Sequence, residues 1–305
     1  MSTGPAGHVA RSTIRPHSET GVEGRKGPLR TFLSTWDGVR IDSVYEPGAV
    51  VYEESGTRSG RPGSPSGRDG LVFVVAHGFT GDADRPHVRR VARVLAGYGA
   101  VVTFSFRGHG ASGGRSTVGD REVLDLAAVV DWARGLGHTR VAVVGFSMGG
   151  SVVLRYAALS RVGGGAGTGG GEVLGAGVDA VVSVSAPARW YYRGTAPMRR
   201  LHWLVTRPAG RLVGRYGLRT RIHHRDWDPV PLSPVEAVPR IAPTPLLIVH
   251  GDRDGYFPLD HPRMLAAAAG EHGELWVEPD MGHAENAAPE ALLRRIGEWV
   301  VGRAG

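Results

Sequence analysis

The sequence predicts an α/β protein whose sheet is mostly parallel and doubly wound. Beyond residue 70, short apolar runs alternate with longer segments of helical periodicity, with one long interruption. Ahead of this alternation, two apolar segments joined by Asp37-Gly38 predict an antiparallel hairpin at 30–36 and 39–45. The length of 305 residues suits one large domain with a modest insertion.

The predicted elements follow one another in a regular order. Residues 50–53 are a candidate extension of the hairpin, and the stretch 55–70, rich in Gly, Pro, Ser and Arg, predicts a surface loop. Another loop insertion is predicted at the glycine-rich residues 163–171. The alternation predicts strands at 71–76, 100–106, 140–144, 179–184, 246–250 and 274–278, and helices at 85–98, 120–136, 151–159, 258–269 and 289–300.

Two segments stand apart from this α/β core. Residues 1–28 are dominated by Gly, Pro, Ser, Thr and Arg, which predicts a disordered tail. Residues 187–243 interrupt the alternation after the sixth predicted strand and carry the helical spacing of two or three short helices. We therefore expect a core at 29–186 and 244–305, with residues 187–243 inserted into it.

Composition excludes several classes of protein. No segment reaches the ~18 apolar residues of a membrane span, and the first residues lack the apolar stretch of a secretory signal, so we expect a cytoplasmic protein without a transmembrane segment. The absence of cysteine excludes disulfides and thiolate metal sites. The net charge of +7 is concentrated in ten arginines between Arg189 and Arg225, where no acidic residue occurs. No recognition motif accompanies this charge, so nucleic acid is not an expected partner.

Gly145-Phe146-Ser147-Met148-Gly149 is the most informative motif of the chain. It lies between a buried strand and a helix, and the two glycines permit a very tight turn that exposes the Ser147 hydroxyl above the sheet edge. The following helix then directs its positive end and the amide of Met148 at whatever the hydroxyl attacks.

Three strand ends carry the side chains that would activate such a serine. Ser147 follows one strand, Asp252 and Asp254 follow another, and His283 follows the last. A serine hydroxyl needs a neutral imidazole to accept its proton, and a carboxylate to orient that imidazole. The order Ser, Asp, His suits an open parallel sheet, where such residues meet at the carboxyl ends of the strands. The residues alone leave Asp252 and Asp254 as alternatives.

Two further motifs complete the pattern: His77-Gly78-Phe79 after the third strand and Arg107–Ser112 after the fourth. Together the motifs resemble those of α/β-hydrolase fold serine hydrolases, over roughly residues 29–301. The resemblance implies an eight-stranded sheet with a short helical cap after strand six, and no cofactor. It further implies Ser147 as nucleophile, His283 as general acid and base, Asp254 as orienting acid from the His-Gly-x-x-Asp spacing, and the amides of Phe79 and Met148 as oxyanion hole. One departure is Ser105, where similar sequences often carry an acidic residue.

The expected reaction is hydrolysis of a small-molecule carboxylic ester or thioester through an acyl-enzyme. Amide or peptide hydrolysis is the alternative within the class, because the same triad serves both, and a non-catalytic ligand-binding protein is the alternative outside it. A serine nucleophile in place of aspartate argues against dehalogenase and epoxide-hydrolase chemistry.

The inserted segment has a charge pattern of its own. Helices are predicted at 198–205 and 211–218, with Pro208 beginning the second piece. The spacing predicts one apolar face and an adjacent arginine face, which is either solvated or meets an anionic substrate, an acidic carrier protein or an anionic lipid surface. The predicted faces consist of Leu201, Val205, Leu212 and Tyr216, and of Arg207, Arg211, Arg215 and Arg219.

Other residues of the insertion have less specific interpretations. Residues 223–228 include metal-ligand types, but adjacent histidines are expected to point in divergent directions and no third anchor is evident, so no metal site is predicted. The aromatic residues are expected in the cap core or in the pocket lining: Trp190, Tyr191, Tyr192, Trp203 and Trp227.

Overall fold

An eight-stranded sheet runs through the computed structural model, which describes residues 27–48, 70–160 and 174–304. The predictions for tail residues 1–26, for the strand extension at 50–53, for loop residues 55–69 and for the insertion at 163–171 lie outside the described residues. No helix in the part of the chain that the structure describes has the length and apolar character needed to cross a bilayer.

The sheet confirms the predicted fold class. Its spatial order is β1-β2-β4-β3-β5-β6-β7-β8, and only the pairs β1–β2 and β2–β4 are antiparallel. The strands are β1 (Leu29–Ser34), β2 (Arg40–Glu46), β3 (Leu71–Ala76), β4 (Ala100–Phe104), β5 (Arg140–Phe146), β6 (Ala180–Val184), β7 (Leu246–Gly251) and β8 (Gly273–Glu278). Strands β3 to β7 are almost fully buried, because helices cover both faces of a parallel sheet.

Helices pack on both faces of this sheet. Those of the described residues are α1 (Pro86–Leu95), α2 (Glu122–Gly135), α3 (Met148–Leu159), α4 (Ala196–Thr206), α5 (Pro208–Gly217), α6 (Pro234–Ala237), α7 (Asp260–Ala269), α8 (Ala284–Ala287) and α9 (Glu290–Arg303). One apolar cluster joins α2, α3 and α7 to the sheet, and a second joins α1 and α9 to it. Helices α4 to α6 lie in the segment predicted as the cap.

Strand order determines where the candidate site forms. Strands β5, β6, β7 and β8 are consecutive parallel neighbours, so their carboxyl ends lie along one sheet edge. Adjacent strands are about 4.8 Å apart, which places the ends of β5 and β7 within reach of short loops. The residues that follow β5, β7 and β8 can therefore meet.

A buried ion cluster ties the hairpin to this α/β core. The Arg107 guanidinium donates to Asp37 in the hairpin turn at 2.7 and 3.0 Å, and to Asp125 of α2 at 2.8 Å. Burial raises the pKa of Asp125 to about 7, and Arg107 opposes this effect. The charge of the buried carboxylate therefore depends on the guanidinium.

We expect Arg107→Leu to lower the free energy of unfolding by about 3–5 kcal/mol, because it leaves the buried Asp125 carboxylate without its guanidinium partner. Urea unfolding followed by circular dichroism measures this change. The matched control is Arg294→Ala, which removes an exposed pair with Glu290 and should cost less than about 1 kcal/mol. Equal effects of the two substitutions would contradict a structural role for the buried cluster.

Candidate active site

Ser147 occupies the strained turn between β5 and α3. Its φ of 53° lies in the left-handed region, which places the residue in a strained backbone conformation. A Cβ on Gly145 would collide with the carbonyl of Gly149, and a Cβ on Gly149 would collide with the carbonyl of Ala76. Helix α3 begins at Met148, three residues earlier than predicted, so its N-terminus lies directly at Ser147.

The structure brings Ser147, His283 and Asp254 into one hydrogen-bonded chain. The Ser147 Oγ lies 2.9 Å from His283 Nε2, and His283 Nδ1 lies 2.8 Å from Asp254 Oδ2. Because an ionised carboxylate only accepts hydrogen bonds, Nδ1 carries a proton, and in the tautomer with that single proton Nε2 is the acceptor for the hydroxyl. This arrangement leaves the serine hydroxyl able to pass its proton to the imidazole.

The two candidate acids have different surroundings. The Asp254 side chain is fully buried, and its Oδ1 accepts hydrogen bonds from the amides of Tyr256 and Phe257 at 2.8 and 3.1 Å. Burial raises the pKa of Asp254, but the hydrogen bonds from His283 and from the Phe257 amide outweigh this effect and hold the pKa below its usual value. Asp252 is exposed and accepts the Asp280 amide instead. Of the two, Asp254 is the one in contact with His283.

A second histidine braces the loop that carries Asp254. His250 is buried, and its Nε2 lies 2.9 Å from the Phe257 carbonyl, to which it donates. Burial lowers the pKa of His250, so the ring stays neutral at neutral pH. The loop from 251 to 257 is thereby closed by a buried hydrogen bond.

The imidazole of His283 is held from two sides. Tyr256 stacks on it, with ring centroids 4.1 Å apart and an interplanar angle of 24°. The next amide, at Ala284, donates to the Ser185 hydroxyl at 3.1 Å. Stacking and the adjacent backbone bond together restrict the ring to the orientation that reaches Ser147.

The two residues predicted as oxyanion hole both contribute to the wall of the space around Ser147. Phe79 and Met148 line the same cavity as Ser147. Met148 is the first residue of α3, so its amide has no carbonyl four positions earlier within the helix. The loop that carries Phe79 is anchored by buried His77, whose Nε2 accepts the Phe106 amide while Nδ1 donates to the Gly78 carbonyl at 2.7 Å.

Glu285 is a buried site residue that sequence reasoning missed. Its Oε1 accepts the Gly78 amide at 2.8 Å, immediately before Phe79, and lies 3.9 Å from His87 Nε2. Its Oε2 is buried and has no hydrogen-bond partner among the described residues. The available signal was an acidic residue two positions after His283, but sequence does not distinguish this glutamate from a solvated one.

Ser105, the departure from the family pattern, makes a loop contact of its own. Its hydroxyl accepts the Ala83 amide at 3.0 Å, and its carbonyl accepts the Ser112 hydroxyl. The loop after β4 is therefore closed without an acidic residue at this position.

A cavity of about 570 Å³ opens above Ser147. Its walls are mainly aromatic and aliphatic, with arginines among the cap residues that also line it. Trp190, Tyr191, Tyr192 and Trp227 line the cavity, as expected, whereas Trp203 is exposed. Trp227 Nε1 donates to the Thr117 carbonyl, and this hydrogen bond attaches the cap to the loop after β4.

The predicted faces of the cap helices are partly wrong. Leu201 and Val205 line the cavity, but Leu212 and Tyr216 are exposed. Arg207 adopts an extended conformation between α4 and α5, so the helical register does not continue across it. For the same reason the predicted arginine stripe is not one continuous helical row.

The histidine pair of the cap also differs from expectation. The rings of His223 and His224 stack with centroids 5.1 Å apart, so the prediction that they diverge is wrong. Within the described ranges, no group of three or more His, Asp or Glu side chains is arranged to hold a metal ion.

Comparisons with known proteins agree with this architecture. The model of the alpha/beta hydrolase family matches residues 71–295. A monoacylglycerol lipase from Mycolicibacterium smegmatis is 29% identical over an aligned length of 252, and the match covers 75% of this chain and 88% of that lipase. A Pyrococcus furiosus esterase has a similar structure, with a TM-score of 0.63 at 24% identity over 91% of this chain and 93% of the esterase. Est1E from Butyrivibrio proteoclasticus, solved with ferulic acid, has a TM-score of 0.55 at 17% identity, and the match covers 90% of this chain and 98% of Est1E.

We expect Glu285→Leu to lower kcat about tenfold or more on a p-nitrophenyl ester, the substrate type predicted from the sequence, with little change in KM. The Gly78 amide would lose its acceptor, and the neighbouring Phe79 amide would be misplaced. Glu285→Gln retains an acceptor oxygen and should keep most of the activity. Thermal unfolding checks that both variants fold; a fully active, folded Glu285→Leu variant would refute this positioning role.

Proposed function

The chain belongs to the alpha/beta hydrolase family, and we propose that it is a serine hydrolase that cleaves a carboxylic ester or thioester through an acyl-enzyme. The observation that carries the proposal is the hydrogen-bonded chain of Ser147, His283 and Asp254 at the base of a largely apolar cavity. Similarity to a monoacylglycerol lipase supports an ester as the bond that is cleaved.

In the proposed acylation step, His283 Nε2 accepts the proton of Ser147 Oγ as that oxygen attacks the carbonyl carbon. The Asp254 carboxylate stabilises the imidazolium that forms. The amides of Phe79 and Met148 donate to the oxyanion of the tetrahedral intermediate. His283 then protonates the leaving group, and the C–O or C–S bond breaks.

Deacylation repeats these steps with water as nucleophile. His283 accepts a proton from water, the resulting hydroxide attacks the acyl carbon, and Ser147 leaves with the proton returned by His283. The protein needs no further reactant, so the proposed reaction is independent of a cofactor. A cytoplasmic location stays a prediction.

The size and lining of the cavity favour a substrate whose acyl group or leaving group has substantial apolar surface. A volume of about 570 Å³ is within the usual range of small-molecule sites, and aromatic side chains make up much of its wall. Because Ser147 lines this cavity, the substrate would reach the hydroxyl from the cavity side.

We expect a fluorophosphonate probe to label Ser147, because the probe reacts with activated serine hydroxyls. Ser147→Ala should abolish labelling and lower ester turnover by about 10⁴-fold or more. Mass spectrometry of the labelled peptide identifies the residue, and a panel of ester, thioester and anilide substrates compares the reactions. Failure to label folded protein would favour a ligand-binding protein, and preferential anilide cleavage would favour an amide hydrolase.

We expect Asp254→Asn to reduce kcat by about 10⁴-fold, because the amide would stabilise the wrong tautomer of His283. Asp252→Asn is the matched control, two positions away and directed at the Asp280 amide. Steady-state kinetics on the preferred substrate compare the two variants. Comparable losses in both would contradict the assignment of Asp254 as the orienting acid.

A further inference from the structure

The outer side of the cap exposes a cluster of large apolar side chains beside arginines. We name the apolar cluster the cap patch; its residues are Trp203, Leu212, Val213 and Tyr216, which are 48%, 58%, 49% and 75% exposed. Single exposed apolar side chains are common on protein surfaces, but a local group of them indicates an interaction surface. None of the four lines the cavity above Ser147.

Glycines explain why α5 presents its largest side chains to solvent. The buried residues of α5 are Gly210 and Gly214, and a Cβ on Gly210 would collide with the backbone at Trp203 and Leu204. The helix therefore packs on α4 at Gly210, and Gly214 on the same helix lies against Thr220 and Ile222. Leu212, Val213 and Tyr216 follow the spacing i, i+1, i+4 and lie together on another side.

The surroundings of the cap patch are strongly basic. The segment 199–221, which contains most of α4 and all of α5, carries seven arginines and no acidic residue. Arg215 lies over the Tyr216 ring, at 5.4 Å from its centroid. Of the arginines around the patch, Arg200, Arg207, Arg215 and Arg219 are exposed and form no ion pair with an acidic side chain of the described residues.

We propose that the cap patch docks on an anionic lipid surface. Apolar side chains that enter the interface, flanked by arginines that pair with lipid phosphates, are the two features such a surface requires. A second copy of the chain is a poor occupant, because a symmetric contact would bring two arginine-rich faces together. An acidic protein would satisfy the arginines but leave the exposed apolar residues without a specific role.

Docking in this orientation would bring the cavity wall close to the lipid. Helix α4 carries Trp203 on its exposed side, while Leu201 and Val205 on the same helix line the cavity. A helix with its side chains is about 10 Å across, so the cavity wall would lie within about one helix diameter of the lipid interface. Surface attachment itself does not require Ser147 chemistry.

Co-sedimentation of the full chain with vesicles tests the proposal. We expect binding to vesicles of phosphatidylglycerol and phosphatidylcholine in equal amounts, weak binding to phosphatidylcholine alone, and release as salt rises from about 0.05 to about 0.5 M. No substrate is present, so the result is independent of the proposed hydrolysis.

Two double variants separate the apolar and charged contributions. Leu212→Ser with Tyr216→Ser keeps every charge, and Arg215→Gln with Arg219→Gln keeps every apolar side chain; each should weaken vesicle binding about tenfold. The control is Trp36→Ser, which removes a side chain that is 85% exposed on the hairpin turn and should leave binding unchanged. The basic residues among positions 1–26 are the same in all variants.

Activity on a water-soluble ester, together with circular dichroism, confirms that the variants fold. Wild-type vesicle binding by the Leu212 and Tyr216 double variant would overturn the proposal. An absence of binding to anionic vesicles by the parent protein would also overturn it. In that case, capture of the chain by an acidic protein, lost in the arginine double variant but not in the Leu212 and Tyr216 double variant, would identify an acidic protein as the partner class.

Discussion

The hydrogen bond between Asp254 and His283 is the interaction on which the candidate site depends. It orients the imidazole toward Ser147, and it is made by a carboxylate that is fully buried. A buried carboxylate without partners would favour its protonated form, but the His283 imidazole and the Phe257 amide hold the pKa of Asp254 below its usual value. The negative charge that would stabilise an imidazolium is therefore present before any substrate binds. Hydrogen bonds within the fold offset the free-energy cost of burying it.

Around this bond, buried polar groups are oriented mostly by backbone atoms. His77 and His250 are both buried and neutral, and each donates to a carbonyl of a loop that approaches Ser147. Glu285 adds an acceptor for the amide before Phe79. Glu285 reaches the Gly78 amide from 207 positions away, and His77 accepts the Phe106 amide from 29 positions away, so these contacts join separate loops into one framework. Donors placed in this way need little reorganisation during a reaction.

The local sequence pattern predicted those parts of the site that depend on residues consecutive in the sequence. The turn at Ser147 depends on five consecutive residues, and the strand alternation gave the order in which loops reach the sheet edge. The choice between Asp252 and Asp254 needed the family spacing, because both follow the same strand. Glu285 acts on a residue 207 positions away, a contact that no local pattern encodes. The predicted cap faces failed at Arg207, where one helix ends and helical periodicity cannot be extended into the next.

The inserted cap segment carries more positive charge than the net charge of the whole chain. Ten arginines in residues 189–225 exceed the net charge of +7, so the rest of the chain is net acidic. The largest local excess of basic residues thus lies in the segment that also carries the exposed apolar side chains and much of the cavity wall. A uniformly basic protein would attract anions from all directions, whereas this distribution favours one orientation toward a negatively charged surface. Because α4 separates the arginine-rich outer side from the cavity, attachment and substrate access would meet on the same short helix.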